Sequence, residues 1–332
     1  MNISVIGAGG WGTTLSILLH YNGHNVSLWE HDRAYSKDLN KCRINKIYLP
    51  GIEIPKGITI THDLNQASSN QHILVLAVPS QFMRNVVRKF DYNDVRNTIF
   101  VSVSKGVENK SLLTMSQMLQ DQLPFLDSEQ IGVLSGPSHA EEVSHRIPTA
   151  VVAASTSIAT SKSIQAAFIV SYFRVYSSTD ILGVELGGAV KNVMAIGAGI
   201  IDGANFGDNT KAAIMTRGIA EISRLGVAIG ARTETFAGLS GMGDLIVTCM
   251  SKHSRNRFVG EKIGEGKTLK EILKTMTMVA EGVETCRSVK QLSEQHQVST
   301  PIIDEVYKVL FEQKDPVKAT TDLMTRDMKS EV

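Results

Sequence analysis

NISVIGAGGWGTTLSILLHYNGHNVSLW, residues 2–29, reads as strand, tight glycine turn, helix and second strand in immediate succession. Residues 2–6 are an apolar run, and Gly7, Gly9 and Gly12 follow it in the spacing GxGxxG. Residues 13–21 carry apolar side chains at helical spacing, Asn22-Gly23-His24 closes that helix, and residues 25–29 form the next strand. In such a unit Gly7 permits the turn and Gly9 lets the backbone approach a pyrophosphate. Gly12 allows close packing of the helix, whose amides and dipole hold the phosphates. The motif alone also fits an ordinary glycine turn; its place between two strands within about 30 residues assigns it to dinucleotide binding.

Outward from this unit, residues 72–78, 98–103 and 131–134 are further β-rich apolar runs, separated by helical segments at 81–90 and 112–123. Short strands at 150–154 and 173–176 are expected to extend the sheet. This alternation predicts a mainly parallel, doubly wound sheet. After about residue 180 no β run is evident, and 183–203, 210–229, 284–296 and 302–313 read as helices. The expected architecture is an α/β Rossmann-like domain over residues 1–180 followed by an all-α domain over residues 181–332.

Ligands on doubly wound sheets bind beyond the carboxyl ends of the strands. Those ends are Pro79-Ser80-Gln81, Ser104-Lys105-Gly106 and Ser135-Gly136-Pro137-Ser138-His139-Ala140. Lys105 directly follows a strand, a position that fits a cleft lysine and an exposed loop lysine alike. Ser138 is placed to cap a short helix ahead of Glu141, as in a capping box.

GVELGGAVKNVMAIGAGIIDG, residues 183–203, is apolar and glycine-rich with one lysine at its middle. Val184, Gly187, Gly188, Lys191, Ala195, Ala198 and Asp202 share one helical face. Each helical glycine costs roughly 1 kcal/mol relative to alanine, so another helix, a cofactor ring or a substrate is expected against the backbone there. A desolvated Lys191 would have a lowered pKa and could exchange a proton with a carbonyl being reduced; a lysine reaching from a packed helix to the surface fits the same pattern. Ser254-Arg255-Asn256-Arg257 reads either as a solvated basic turn or as a phosphate fork of paired guanidinium donors with neutral Ser and Asn partners. Asp244 could orient Lys191 or a substrate hydroxyl.

Composition narrows the classes. A length of 332 residues fits two domains, and a net charge of +1 offers no field for nucleic acid. Cys42, Cys249 and Cys286 are odd in number and form no CxxC pair, so a reducing cytoplasm fits better than a disulfide framework. No paired metal-ligand spacing occurs among the nine histidines, and no metal is expected. No secretory leader is read at the start, and Glu185, Lys191 and the glycines argue against 183–203 as a membrane span.

Taken together, IGAGGWG at 6–12, SKG at 104–106, SGPSHA at 135–140, GGAVKNVMAIGAGIIDG at 187–203, GDL at 243–245 and SRNR at 254–257 resemble bacterial NAD(P)-dependent glycerol-3-phosphate dehydrogenase, in order and over nearly the whole chain. VKNVMAIGAG combined with SRNR is far more specific than the nucleotide fingerprint. The resemblance implies reversible reduction of dihydroxyacetone phosphate to sn-glycerol 3-phosphate, a phospholipid precursor, by a homodimer. It makes Lys191 the catalytic acid/base and Asp244 the residue supporting it and the substrate. Lys105, Gly136, Ser138, Ser254, Arg255 and Asn256 become substrate-binding residues, with Asn192 and Thr248 in second line. Beside Gly7, Gly9, Gly10, Trp11 and Gly12, it assigns His31, Arg33, Lys105, Ala140, Arg255, Val279 and Glu281 to the cofactor.

One departure is Gly10-Trp11, where family members often have serine followed by an aromatic. The hydroxyl is missing while the amide remains. For the cofactor, Glu30 at the end of the second strand favours NAD by accepting from a ribose hydroxyl; His31 and Arg33 offer positive charge, and the resemblance at His31 tilts the expectation towards NADPH. A β-hydroxyacid dehydrogenase is the nearest enzymatic alternative, but it needs no fork at Arg255 and Asn256. A nicotinamide-sensing protein without turnover needs no Lys191, Asp244 and Lys105 together.

Overall fold

In the computed structural model, which describes residues 1–331 apart from Thr277 and Lys329, the first 178 residues build one eight-stranded sheet. Its strands are β1 (Asn2–Ile6), β2 (Asn25–Trp29), β3 (Thr59–Thr61), β4 (Ile73–Leu76), β5 (Ile99–Ser102), β6 (Ile131–Ser135), β7 (Thr149–Ser155) and β8 (Phe173–Ser178), ordered β3-β2-β1-β4-β5-β6-β7-β8. β1 to β6 pair in parallel, and the order reverses between β1 and β4. Alternate side chains feed two cores: Ile3 and Val5 join Ile73, Val75 and Val101 on one face, while Ile6 joins Leu74, Leu76 and Phe100 on the other. The expected doubly wound sheet is present. β3 had no counterpart in the sequence reading.

β7 runs antiparallel to β6, and β8 runs parallel to β7. The chain therefore leaves β8 at the amino edge of the parallel strands, opposite the edge where ligands bind. The helix that follows, Ile181–Gly203, starts with Asp180 accepting from the Gly183 amide at 3.0 Å. It then climbs alongside β6: Val184 packs with Val133 and Ala154, and Gly188 lies at Ser135, the last residue of that strand. At 1.5 Å per residue, roughly 15 Å of helix brings Lys191 level with the ligand edge.

The remaining described elements are helical, around a core that includes Val190, Met194, Ile222, Leu225 and Phe236. The Ile181–Gly203 helix is buried from Gly183 to Ile201. It is the one described helix long and apolar enough to cross a membrane, and its apolar surface is taken up by the protein itself.

Its glycines are explained chiefly by backbone contact. A Cβ at Gly199 would lie 2.0 Å from the Arg257 carbonyl oxygen, and one at Gly203 would lie 2.1 Å from that of Glu261. On the facing Arg255–Gly264 helix, a Cβ at Gly260 would lie 1.9 Å from the Ile196 oxygen, and one at Gly264 would lie 2.5 Å from that of Ile200. Two glycines spaced four residues apart on each helix thus let the backbones touch. The body expected against this helix is mainly another helix, with Ser240 meeting Gly187 and Ser135 and Lys105 meeting Gly188.

Candidate active site

The strand ends, the Lys191 helix and the segment 248–256 enclose a cleft of about 830 Å³. At one end lies the glycine turn. Gly7 has φ +116° and its hydrogen faces the Ala77 carbonyl, where a Cβ would sit 2.9 Å away. A Cβ at Gly12 would strike the Gly7 oxygen at 1.9 Å, so the helix Gly10–Tyr21 packs hard against the turn. Gly9 faces open space and caps that helix without a side chain, leaving first-turn amides free for an anion. These features fit a dinucleotide pyrophosphate. A Cβ at Gly10 would lie 2.6 Å from the Tyr48 carbonyl oxygen, which is a physical reason for glycine there. Trp11 forms a cleft wall and packs against Phe173 with ring centroids 6.4 Å apart.

The sequence reading missed Tyr48, which also lines the cleft. It lies in an irregular segment held by Asn45, whose Nδ2 donates to the Ala8 oxygen and to Thr13 Oγ1, both at 2.8 Å. No periodicity marks this segment. At the mouth, the Glu30 carboxylate is already engaged, accepting from the Asp32 amide at 2.9 Å and facing His31 Nδ1 at 2.7 Å. His31 is exposed and lines the cleft; Arg33 is exposed on the first residue of the next helix and is not among the residues lining it.

At the other end three charged groups meet. Lys191 Nζ donates to Asp244 Oδ1 at 2.7 Å and to Thr248 Oγ1 at 2.5 Å, while Lys105 Nζ donates to Asp244 Oδ2 at 2.7 Å and to the Gly136 oxygen at 2.9 Å. Lys191 is 5% exposed and does not reach to the surface. Burial lowers its pKa to about 8, with Lys105 adding to the shift and Asp244 opposing it. Burial would raise the Asp244 carboxyl, but Lys105 and Lys191 outweigh it and hold the group below its ordinary value. Thr248 Oγ1 in turn bonds the Asp244 carbonyl at 2.6 Å, which fixes the hydroxyl beside Lys191.

Ser254 accepts from the Arg257 amide at 3.2 Å and caps the Arg255–Gly264 helix. Asn256 is buried, donating to Asn192 Oδ1 and accepting from the Gly282 amide, each at 2.9 Å. Arg255, exposed in the first turn, lines the cleft, where its charge acts on the Glu281 carboxyl and is available to an anion. Glu281 accepts from the Ser80 amide at 3.0 Å and from Ser80 Oγ at 2.6 Å, tying the helical half to the sheet; Val279 lines the cleft beside it. Burial raises the Glu281 carboxyl against those hydrogen bonds.

One expectation is corrected. Ser138 does not cap the helix Ala140–Ser144; His139 is its N-cap residue, and no side chain caps it. Ser138 Oγ instead donates to the Gly136 oxygen at 2.9 Å, because the turn at Gly136, with φ +146°, brings that carbonyl within reach. Ala140 begins the helix and lines the cleft.

The profile described as NAD-dependent glycerol-3-phosphate dehydrogenase N-terminus matches residues 2–161, and that described as its C-terminus matches residues 180–321. The chain belongs to this family. A glycerol-3-phosphate dehydrogenase [NAD(P)+] of Chlorobium phaeobacteroides strain BS1 is 49% identical over 332 residues, covering 100% of this chain and 99% of the relative. The crystal structure of glycerol-3-phosphate dehydrogenase from Coxiella burnetii is 33% identical with a TM-score of 0.92, covering 98% of this chain and 99% of that one. The yeast enzyme structure is 26% identical with a TM-score of 0.80, at 98% and 99% coverage. The dehydrogenase is thus an NAD(P)-dependent oxidoreductase. Among its described residues no group of three or more His, Cys, Asp or Glu side chains is placed to hold a metal ion.

Proposed function

We propose that this chain reduces dihydroxyacetone phosphate reversibly to sn-glycerol 3-phosphate, a precursor for glycerophospholipids, with Lys191 as the acid. The observation that carries the assignment of Lys191 is its buried ammonium, held by Asp244 and Thr248 on the wall of a cleft that begins at a dinucleotide turn. When bound, the reduced nicotinamide supplies a hydride to C2 of the substrate. Lys191 Nζ gives its proton to the ketone oxygen, and Asp244 keeps the ammonium oriented and offsets the charge of Lys105. Arg255 meets the phosphate with Asn256 and Ser254 shaping its seat, while Lys105, Gly136 and Ser138 line the substrate side. Gly7, Gly9, Gly10, Trp11, Gly12, His31, Ala140, Val279 and Glu281 are the cofactor side. The test is loss of reduced-nicotinamide absorbance on mixing the protein with dihydroxyacetone phosphate; a folded protein that binds nucleotide yet shows no turnover overturns the reading.

A proton donor with a pKa near 8 gives the pH dependence its sign. Reduction needs charged Lys191 and should fall as pH rises through about 8. Oxidation of glycerol 3-phosphate needs the neutral amine and should rise through the same range. Rate profiles in both directions that bend the same way near pH 8 would contradict this.

NADPH is the preferred cofactor in this reading, with NADH also used. Its support is that Glu30, the group that would repel a 2′-phosphate, is occupied by His31 and the Asp32 amide. Arg33→Ala should therefore raise the KM for NADPH more than that for NADH, by about ten-fold against two-fold at most for a lost charge-assisted contact. Equal changes would sink the role of Arg33, which the position of that side chain outside the cleft wall makes a demanding test. The same reading places the enzyme in the cytoplasm, supported by Cys42, Cys249 and Cys286 all being free thiols, and as a homodimer, which light scattering would read.

A further inference from the structure

His139 lies inside the SGPSHA segment, between Ser138 and Ala140, yet neither the fold nor the proton transfer uses its side chain. Its Nε2 is buried without a hydrogen-bond partner among the described residues, although the residue lines the cleft. Buried polar nitrogens nearly always find a partner. The ring of His253, which directly precedes the Ser254–Asn256 cluster, lies against it with centroids 5.9 Å apart and planes at 53°. His139 is thus in the wall between the Lys191 centre and the Arg255 cluster.

We infer that His139 Nε2 is the contact for the uncharged hydroxyl of the triose phosphate, which makes His139 a specificity-determining residue. The inference rests on the proposed reaction. A triose phosphate has three polar groups, and in that reaction Lys191 serves the carbonyl oxygen and Arg255 the phosphate. Lys105 and Ser138 on the substrate side already donate to Asp244 and the Gly136 carbonyl, which leaves the hydroxyl to the unpaired imidazole nitrogen. The imidazole has the character for it. Burial lowers its pKa, the Lys191 and Lys105 ammoniums lower it further, and Glu141 and Asp244 oppose them more weakly. Such a ring is neutral at neutral pH, with one donor and one acceptor nitrogen. A hydroxyl can use either, whereas a phosphate dianion is better met by a cation such as Arg255.

The experiment compares dihydroxyacetone phosphate with hydroxyacetone phosphate, in which hydrogen replaces the hydroxyl, in wild type, His139→Phe and His139→Gln. A site built to bond a hydroxyl rejects the analogue that lacks it, so the wild type should prefer dihydroxyacetone phosphate. His139→Phe should lower kcat/KM for dihydroxyacetone phosphate by roughly thirty-fold, as for a buried group left unpaired. It should leave hydroxyacetone phosphate and the nicotinamide KM within about two-fold. His139→Gln, which restores an amide near the Nε2 position, should recover part of the loss and serves alone if His139→Phe does not fold. Equal loss on both substrates, or no loss, overturns the assignment. A wild type that turns over neither substrate instead overturns the dehydrogenase reading on which it rests.

Discussion

Lys191→Met is expected to lower turnover of dihydroxyacetone phosphate by about 10³-fold, within the range for a removed general acid, while nicotinamide binding stays within about two-fold because the glycine turn is untouched. Methionine fills much of the lysine's volume, and losing a buried ammonium removes its desolvation along with its bonds, so the fold should persist. Asp244 then keeps only Lys105 as a charged partner. Single-turnover kinetics with saturating cofactor, together with fluorescence titration of the nucleotide, would read both quantities. Turnover within ten-fold of wild type would remove Lys191 from the chemistry.

Gly260→Val is expected to destabilise the protein severely. Its Cβ would sit 1.9 Å from the Ile196 carbonyl oxygen and 2.9 Å from the Ile200 amide, both backbone atoms of a helix buried on every side. Neither side of the crossing can yield without separating Gly199 and Gly203 from their facing carbonyls as well. The loss should reach about 4 kcal/mol or more, the range reserved for overpacked cores. A melting temperature lower by about 6 °C would follow for a chain of this size. Gly243→Ala is the control, since a Cβ there meets nothing nearer than 3.7 Å. A Gly260→Val protein melting with wild type would show that the crossing is looser than the distances imply.

The dinucleotide turn and the Lys191 helix were legible because each is local: glycine spacing, strand propensity and helical period lie within a few dozen residues. β3, three residues in a turn-rich segment, carries too little pattern to see. The reversal of β7 and β8 was equally hidden, since a short strand reads the same in either direction. Ser138 does not cap the following helix because the capping pattern ignores the turn that Gly136 imposes, which turns its hydroxyl to the Gly136 carbonyl. The pairing of Lys105 with Asp244 spans 139 positions, and only the folded chain brings them together. Two groups can thus be named from motifs while their contact stays invisible. The glycines at 199 and 203 were half legible: close approach was demanded, but the partner that approaches, with its own Gly260 and Gly264, was not.

The reversed strand pair also limits how this protein can be recombined. Because β8 delivers the chain to the amino edge, the helical half carries its acid about one strand-length, roughly 15 Å, from its own point of entry to the level of the opposite rim. Grafted behind a sheet whose last strand runs the other way, the same helix would set off from the ligand rim and carry Lys191 roughly 15 Å past it. The two halves are therefore not exchangeable cassettes of the Rossmann type, and any chimera must inherit β7 and β8 together with the helix they launch.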